Sequence, residues 1–172
     1  SNNLFFGLDF NVSMMSCVLG CSYTDGTIHY FDEIRLENSN TEEMAREMKK
    51  IAPNAPVYPD AAGSARSTTS HRSDHQILRD HGFHVVSKKA NPPIIDRLNA
   101  LNRMLKDANG KIRMTVDPKC TYLIKDLEQV QRSRDGKIDK SNIALTHMLD
   151  ACSYYISYRH PIISRKPVSV EW

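Results

Sequence analysis

The sequence predicts an α/β domain on a mixed sheet: an antiparallel three-strand meander followed by parallel strands, with helices on the sheet faces. Residues 4–36 hold three apolar, strand-like runs joined by short polar links, the pattern of a meander. From residue 41 onward, short apolar runs alternate with stretches of helical periodicity, the pattern of strands crossed by helices. The 172 residues, 40% hydrophobic and 25% charged, fit one globular domain with a single sizeable core.

Each element has a local reason. Leu4 to Val12 is predicted as the first strand and Met14 to Tyr23 as the second. Thr24-Asp25-Gly26-Thr27 turns the chain, because Asp-Gly tolerates positive φ, and Ile28 to Leu36 returns as the third strand. Asn40 or Thr41 caps a helix from Glu42 to about Ile51, with acids in the first turn and Lys49-Lys50 in the last, as the helix dipole favours. Pro56-Val57-Tyr58-Pro59 is a short strand ending at Asp60, followed by a polar loop to Ser73. Asp74 to His81 is a helix closed by Gly82, and Phe83 to Ser87 the next strand. Pro92-Pro93 opens a helix with Ile94, Leu98, Leu101 and Leu105 on one face. Ile112 to Val116 is a strand, and Asp117-Pro118 caps a helix running to about Arg132. A charged loop, Arg132 to Ser141, precedes a last helix from Asn142 or Ile143 to about Arg159.

Composition narrows the function classes. No run reaches the ~18 apolar residues of a membrane span, and Leu4 to Phe10 is short and carries an acid, unlike a secretory leader. The charge balance, 23 Lys and Arg against 20 Asp and Glu, is only +3. The four cysteines, Cys17, Cys21, Cys120 and Cys152, show no zinc spacing and are expected to be buried free thiols. His71 and His75 stand four apart without a third ligand and are expected to be surface histidines.

Three acids occupy positions where a carboxylate is costly. Asp9 lies within the first strand among Phe5, Phe6, Leu8 and Phe10. By alternation it shares a face with Gly7, which leaves room for something to approach. Asp60 ends the strand Val57-Tyr58-Pro59, where ligands gather in open parallel sheets. Its alternative role is a helix cap or Asx-turn. Asp150 sits on an apolar helix with His147 one turn earlier, either a metal or acid–base pair or a satisfied core couple. Three carboxylates in one fold repel, and divalent cations relieve that; hard oxygen ligands favour Mg²⁺ or Mn²⁺.

These residues resemble a known family, the C-terminal nuclease domain of the large terminase subunit of tailed bacteriophages, which is RNase H-like and close to RuvC. The motifs that carry the resemblance are Gly7-Leu8-Asp9-Phe10, Tyr58-Pro59-Asp60-Ala61-Ala62-Gly63 and His147-Met148-Leu149-Asp150-Ala151. The resemblance covers nearly the whole chain. It implies an RNase H-like fold and a metal-dependent endonuclease that cuts double-stranded viral DNA during genome packaging. It also implies that Asp9, Asp60 and Asp150 bind two Mg²⁺ or Mn²⁺ ions, with His147 binding metal, orienting Asp150 or moving a proton. Two such ions activate a water and stabilise the leaving oxygen of a phosphodiester.

Candidate phosphate contacts are Arg66, Arg72, Lys88, Lys89, Arg132, Arg134, Lys137 and Lys140, and the Arg132 to Ser141 loop is a candidate gate. Ser1-Asn2-Asn3 leads directly into the first strand and no phosphate-cradling G-x-x-x-x-G-K-[ST] occurs. The expectation is a single nuclease domain, 1–172, excised from a chain with an N-terminal ATPase motor. The partners implied are double-stranded DNA, that motor, a small terminase subunit and the procapsid portal, in the cytoplasm of the infected host. The rival readings are another RNase H-like nuclease such as a Holliday-junction resolvase, an actin-like ATPase, and a non-catalytic portal-docking module.

Overall fold

The structure, a computed structural model, describes residues 3–65, 71–132 and 147–162. The meander forms as expected: β1 (Asn3–Asp9), β2 (Met14–Ser22) and β3 (Ile28–Glu37) pair antiparallel in sequence order. Gly26 takes φ +82 in the β2–β3 turn, where Asp25 Oδ1 accepts from Thr27 N at 2.9 Å. β4 (Val57–Pro59) adds in parallel beside β1, and β5 (Met114–Val116) in parallel beside β3. The sheet order is therefore β4-β1-β2-β3-β5.

The strand expected at Phe83–Ser87 is reduced to one parallel bridge, Val57 to Val85. Val57 N donates to His84 O at 2.9 Å and Val86 N to Val57 O at 2.8 Å. By alternation the next β4 donor on that edge would be residue 59, a proline without an N–H, so the ladder stops there.

Helices cover both faces. α1 (Thr41–Ile51) and α2 (Asp74–Asp80) close one core around Phe6, Leu8, Cys17, Met44, Met48 and Leu78. Asn40 caps α1 through Glu43 N at 3.0 Å, and Ser73 caps α2 through Gln76 N at 3.2 Å. α3 (Ile94–Leu105), α4 (Thr121–Arg132) and α5 (His147–Arg159) close the opposite core around Phe5, Val18, Tyr30, Leu101, Leu123 and Ile156.

Asp117 does not cap α4. It holds a preceding turn through Lys119 N at 2.9 Å, and the helix begins four residues later. Glu33 of β3 takes the cap instead, accepting from Tyr122 N and Leu123 N, each at 2.9 Å. A bidentate carboxylate satisfies two of the orphan N–H groups at once and suits the positive end of the dipole.

α5 is the element that places the site. Nine of its residues, including Met148, Leu149, Cys152, Tyr155 and Ile156, are buried, as befits a helix enclosed by neighbours on most of its surface. It packs against β1, β2, β4, α3 and α4. Tyr30 Oη donates to Cys152 O at 3.1 Å, and Phe5 stacks on Tyr155. A Cβ on Gly7 would collide with the Ala151 carbonyl oxygen. The space at Gly7 therefore admits the α5 backbone, not a ligand.

Candidate active site

Asp9 is the last residue of β1, one position past the strand interior where its surroundings placed it. The chain then turns at Asn11, whose carbonyl accepts from Met14 N at 2.9 Å. Asp9 is 7% exposed. Burial, followed by the charge of Asp150, raises its carboxyl to about 6; His147 opposes the shift and Asp60 adds to it. Charges from the end of β4 and from α5 thus act on one buried group at the end of β1.

A chain of hydrogen bonds sets the histidine. Asn11 Oδ1 accepts from Ser13 N at 3.1 Å and from Ser13 Oγ at 2.7 Å. Asn11 Nδ2 therefore faces His147 Nε2, at 3.3 Å. With Nε2 accepting, the ring proton belongs on Nδ1, which donates to Asp9 Oδ2 at 3.0 Å.

Asp60 follows β4, with its own N–H bonded to Leu8 O at 2.9 Å. Its Oδ1 accepts from Ala62 N at 2.8 Å, capping the 3-10 turn Ala61–Ser64, and from Asn91 Nδ2 at 2.6 Å. Asn91 Oδ1 in turn accepts from Ala61 N at 2.9 Å. The small residues after Asp60 are packing positions as well as turn positions: Ala61 and Gly63 are buried, and a Cβ on Gly63 would overlap the Phe10 ring. His75 is buried, not a surface residue; its Nε2 lies 2.8 Å from Asp60 O, and burial holds its pKa down.

Asp150 lies one turn after His147 on α5. Its Oδ1 accepts from Arg97 Nη1 of α3 at 2.9 Å. Each of the three acids is thus anchored by one oxygen. The others, Asp9 Oδ1, Asp60 Oδ2 and Asp150 Oδ2, carry no hydrogen bond among the described residues.

Three functional neighbours escaped the sequence reading. Asp126 of α4 is buried, and its Oδ2 accepts from Leu149 N at 3.1 Å at the start of α5. Burial raises its carboxyl to about 6, against the pull of the Leu149 and Met148 N–H groups. Its signal was its place between Leu123 and Leu127 on the apolar face of α4. Arg97 interrupts the apolar face of α3 in the same way, between Ile94 and Leu101. Asn91 had no such signal.

Among the proposed phosphate contacts, Lys88 and Lys89 are exposed on the segment leading to Asn91, with Lys88 Nζ 5.7 Å from the Tyr158 ring centre. Arg72 pairs with Asp80 at 2.6 Å and Glu42 at 2.7 Å. Arg132 is the last residue of α4. Arg66, Arg134, Lys137 and Lys140, the proposed gate over 133–141 and the predicted helix start at 142–146 lie outside the described residues. All four cysteines are free thiols; Cys17, Cys120 and Cys152 are buried and Cys21 is partly exposed.

A mixed five-stranded sheet with carboxylates at two neighbouring strand ends and on the helix across them is the framework of an RNase H-like domain. Residues 6–159 match the family described as Terminase RNaseH-like domain, and the chain belongs to that family. Three solved structures share the fold. The phage P22 large terminase nuclease domain is 15% identical, aligned over 92% of this chain and 82% of that one, with a TM-score of 0.67. The g2p large terminase nuclease domain of bacteriophage SPP1, solved with bound Mn, is 17% identical over 91% and 86%, with a TM-score of 0.58. The human cytomegalovirus terminase nuclease domain is 10% identical over 91% and 83%, with a TM-score of 0.52. The sequence has no significant match among curated proteins.

The donor set fits a hard divalent cation. All three side chains offer carboxylate oxygens, and Asp9 carries the repulsion of two other acids in a desolvated position. As placed, no three His, Cys, Asp or Glu side chains among the described residues stand together so as to hold a metal ion.

Proposed function

We propose that this chain is a divalent-metal-dependent endonuclease that cuts double-stranded viral DNA during genome packaging. Membership of the terminase RNase H-like family supports a nuclease role, and the SPP1 domain, which shares the fold, was solved with Mn. The observation that carries the reading is the shared posture of Asp9, Asp60 and Asp150, each anchored through one oxygen by a different partner.

Asp9, Asp60 and Asp150 would hold two Mg²⁺ or Mn²⁺ ions. When bound, such ions supply Lewis acidity and a nucleophile at neutral pH. The protein supplies the arrangement around them. His147 donates through Nδ1 to Asp9 and holds that carboxylate's orientation, and Asn11 keeps the ring in the tautomer that can do so. Asn91 and the Ala62 N–H fix Asp60. Lys88 and Lys89, with Arg72 on the α1–α2 side and the cations at 66, 132, 134, 137 and 140, would meet the DNA phosphates. In the virus the domain would act within a chain bearing an ATPase motor, alongside a small terminase subunit and the portal, in the host cytoplasm.

The test is plasmid cleavage with Mn²⁺ or Mg²⁺, comparing the unsubstituted chain with Asp9→Asn, Asp60→Asn and Asp150→Asn. Weak, sequence-independent cutting by the unsubstituted chain and none by the variants is expected. Variants that cut as well as their parent would refute the metal assignment. Preferential cutting of four-way junctions over linear duplex would move the chain to the resolvases.

A further inference from the structure

Arg97 is a cation built into the acidic site. It lies on α3 and is 7% exposed, in a class of residue seldom buried unless paired. One nitrogen, Nη1, donates both to Asp150 Oδ1 at 2.9 Å and to Ser153 Oγ at 2.8 Å. The Ser153 hydroxyl in turn donates to Asp150 O at 2.8 Å. The guanidinium carbon stands 5.0 Å from the Tyr154 ring centre. Partners on three nearby α5 residues therefore hold one planar group in place.

The placement is not the one that best satisfies the arginine. Nε is fully buried and has no hydrogen-bond partner, alone in this among buried side-chain nitrogens and oxygens of the described residues. An unsatisfied buried donor is destabilising, and a lysine or an apolar residue would avoid it. What the arginine secures is a fixed positive charge 2.9 Å from one oxygen of Asp150. The remaining oxygen has no partner among the described residues, and the Asp150 side chain is 31% exposed.

We infer that Arg97 is a positioning residue that fixes Asp150 by one oxygen and, through its permanent charge, lowers the affinity of the acid cluster for divalent cations in the absence of DNA. The inference rests on the reading of Asp150 as a metal ligand. An arginine cannot titrate away at any working pH, so the restraint is constant. It opposes a second positive charge at Asp150 whenever no phosphate is present to balance it. The ion-binding capacity of the site is then raised by the anionic substrate itself. This ties metal loading to the presence of DNA.

The experiment is a Mn²⁺ titration of the 172-residue chain without DNA, reading free Mn²⁺ by electron paramagnetic resonance. Arg97→Gln removes the charge and is expected to bind Mn²⁺ about tenfold more tightly, whereas Arg97→Lys keeps the charge and stays within about threefold of the parent. A merely structural arginine predicts equal or weaker binding in the Gln variant, and that result overturns the inference. A second measurement needs no variant and so survives any loss of folding. The Arg97 Nε–H resonance is followed by NMR as Mg²⁺ is added, and a saturable shift is expected. A resonance unmoved at saturating Mg²⁺ overturns the inference as well. Asp150→Asn in the Mn²⁺ titration separates the two levels. If it binds as tightly as the parent, Asp150 is no ligand and the functional reading of that residue fails along with the role of Arg97. If it binds more weakly while Arg97→Gln binds no more tightly, the role of Arg97 fails alone.

Discussion

His147 Nδ1 and Asp9 Oδ2 lie 3.0 Å apart across 138 residues of sequence. The contact joins the N-terminal turn of α5 to the end of β1. His147 is expected to act through Asp9: His147→Ala should slow plasmid cleavage by about tenfold or more, while Asn11→Ala, which only releases the tautomer, slows it less. Cleavage rates at saturating Mg²⁺ check this, and an Asn11 variant slower than the His147 variant contradicts it.

Asn91 buttresses Asp60 from a loop, donating to its carboxylate at 2.6 Å and accepting from Ala61 N at 2.9 Å. Asn91→Ala is expected to lower stability by about 1 kcal/mol and to slow cleavage more than that loss of folded protein explains. Urea unfolding and cleavage assays on the same preparation separate the two effects.

Gly7 is a structural requirement. Any Cβ there meets the Ala151 carbonyl oxygen, which is backbone of a packed helix and cannot swing aside. Gly7→Ala is expected to destabilise by about 2–4 kcal/mol, read as a lower urea midpoint. A neutral result would mean that α5 sits farther from β1 than the structure places it.

Asp126 makes stability depend on pH. Its carboxyl is raised to about 6, chiefly by burial, above the usual carboxylate range of about 4. The folded state therefore binds the proton more tightly than the unfolded state. This contribution is fully present below about pH 4 and is lost as pH rises through about 6. Asp126→Asn keeps an acceptor for Leu149 N without the charge. It is expected to be more stable than the parent at pH 8 by about 1–3 kcal/mol, with the advantage gone at pH 4. Thermal melts at the two pH values, without divalent ions, decide it.

Much of this was legible in the chain alone, because the information was local. Alternation in Leu4–Phe10 put Asp9 and Gly7 on one face, and the Asp-Gly turn, the Asn40 cap and the apolar α5 followed from neighbours in sequence. The order of acid-bearing motifs was enough to point to a terminase-type nuclease domain. Side-chain burial between distant elements was not local. His75 reads as a surface histidine for want of a third ligand beside His71, yet the Phe10 ring and the Asp60 carbonyl enclose it.

Sequence by itself determined the strand meander, the helix periodicity and the order of the carboxylate-bearing motifs. Tertiary structure alone decided which partner holds each acid: His147 for Asp9, Asn91 for Asp60, Arg97 for Asp150. It also decided that Glu33, not Asp117, caps α4. The physical reason is the same throughout. A buried charge or an orphan N–H must find a partner, and when the nearest suitable group is dozens of residues away, only the fold brings the two together.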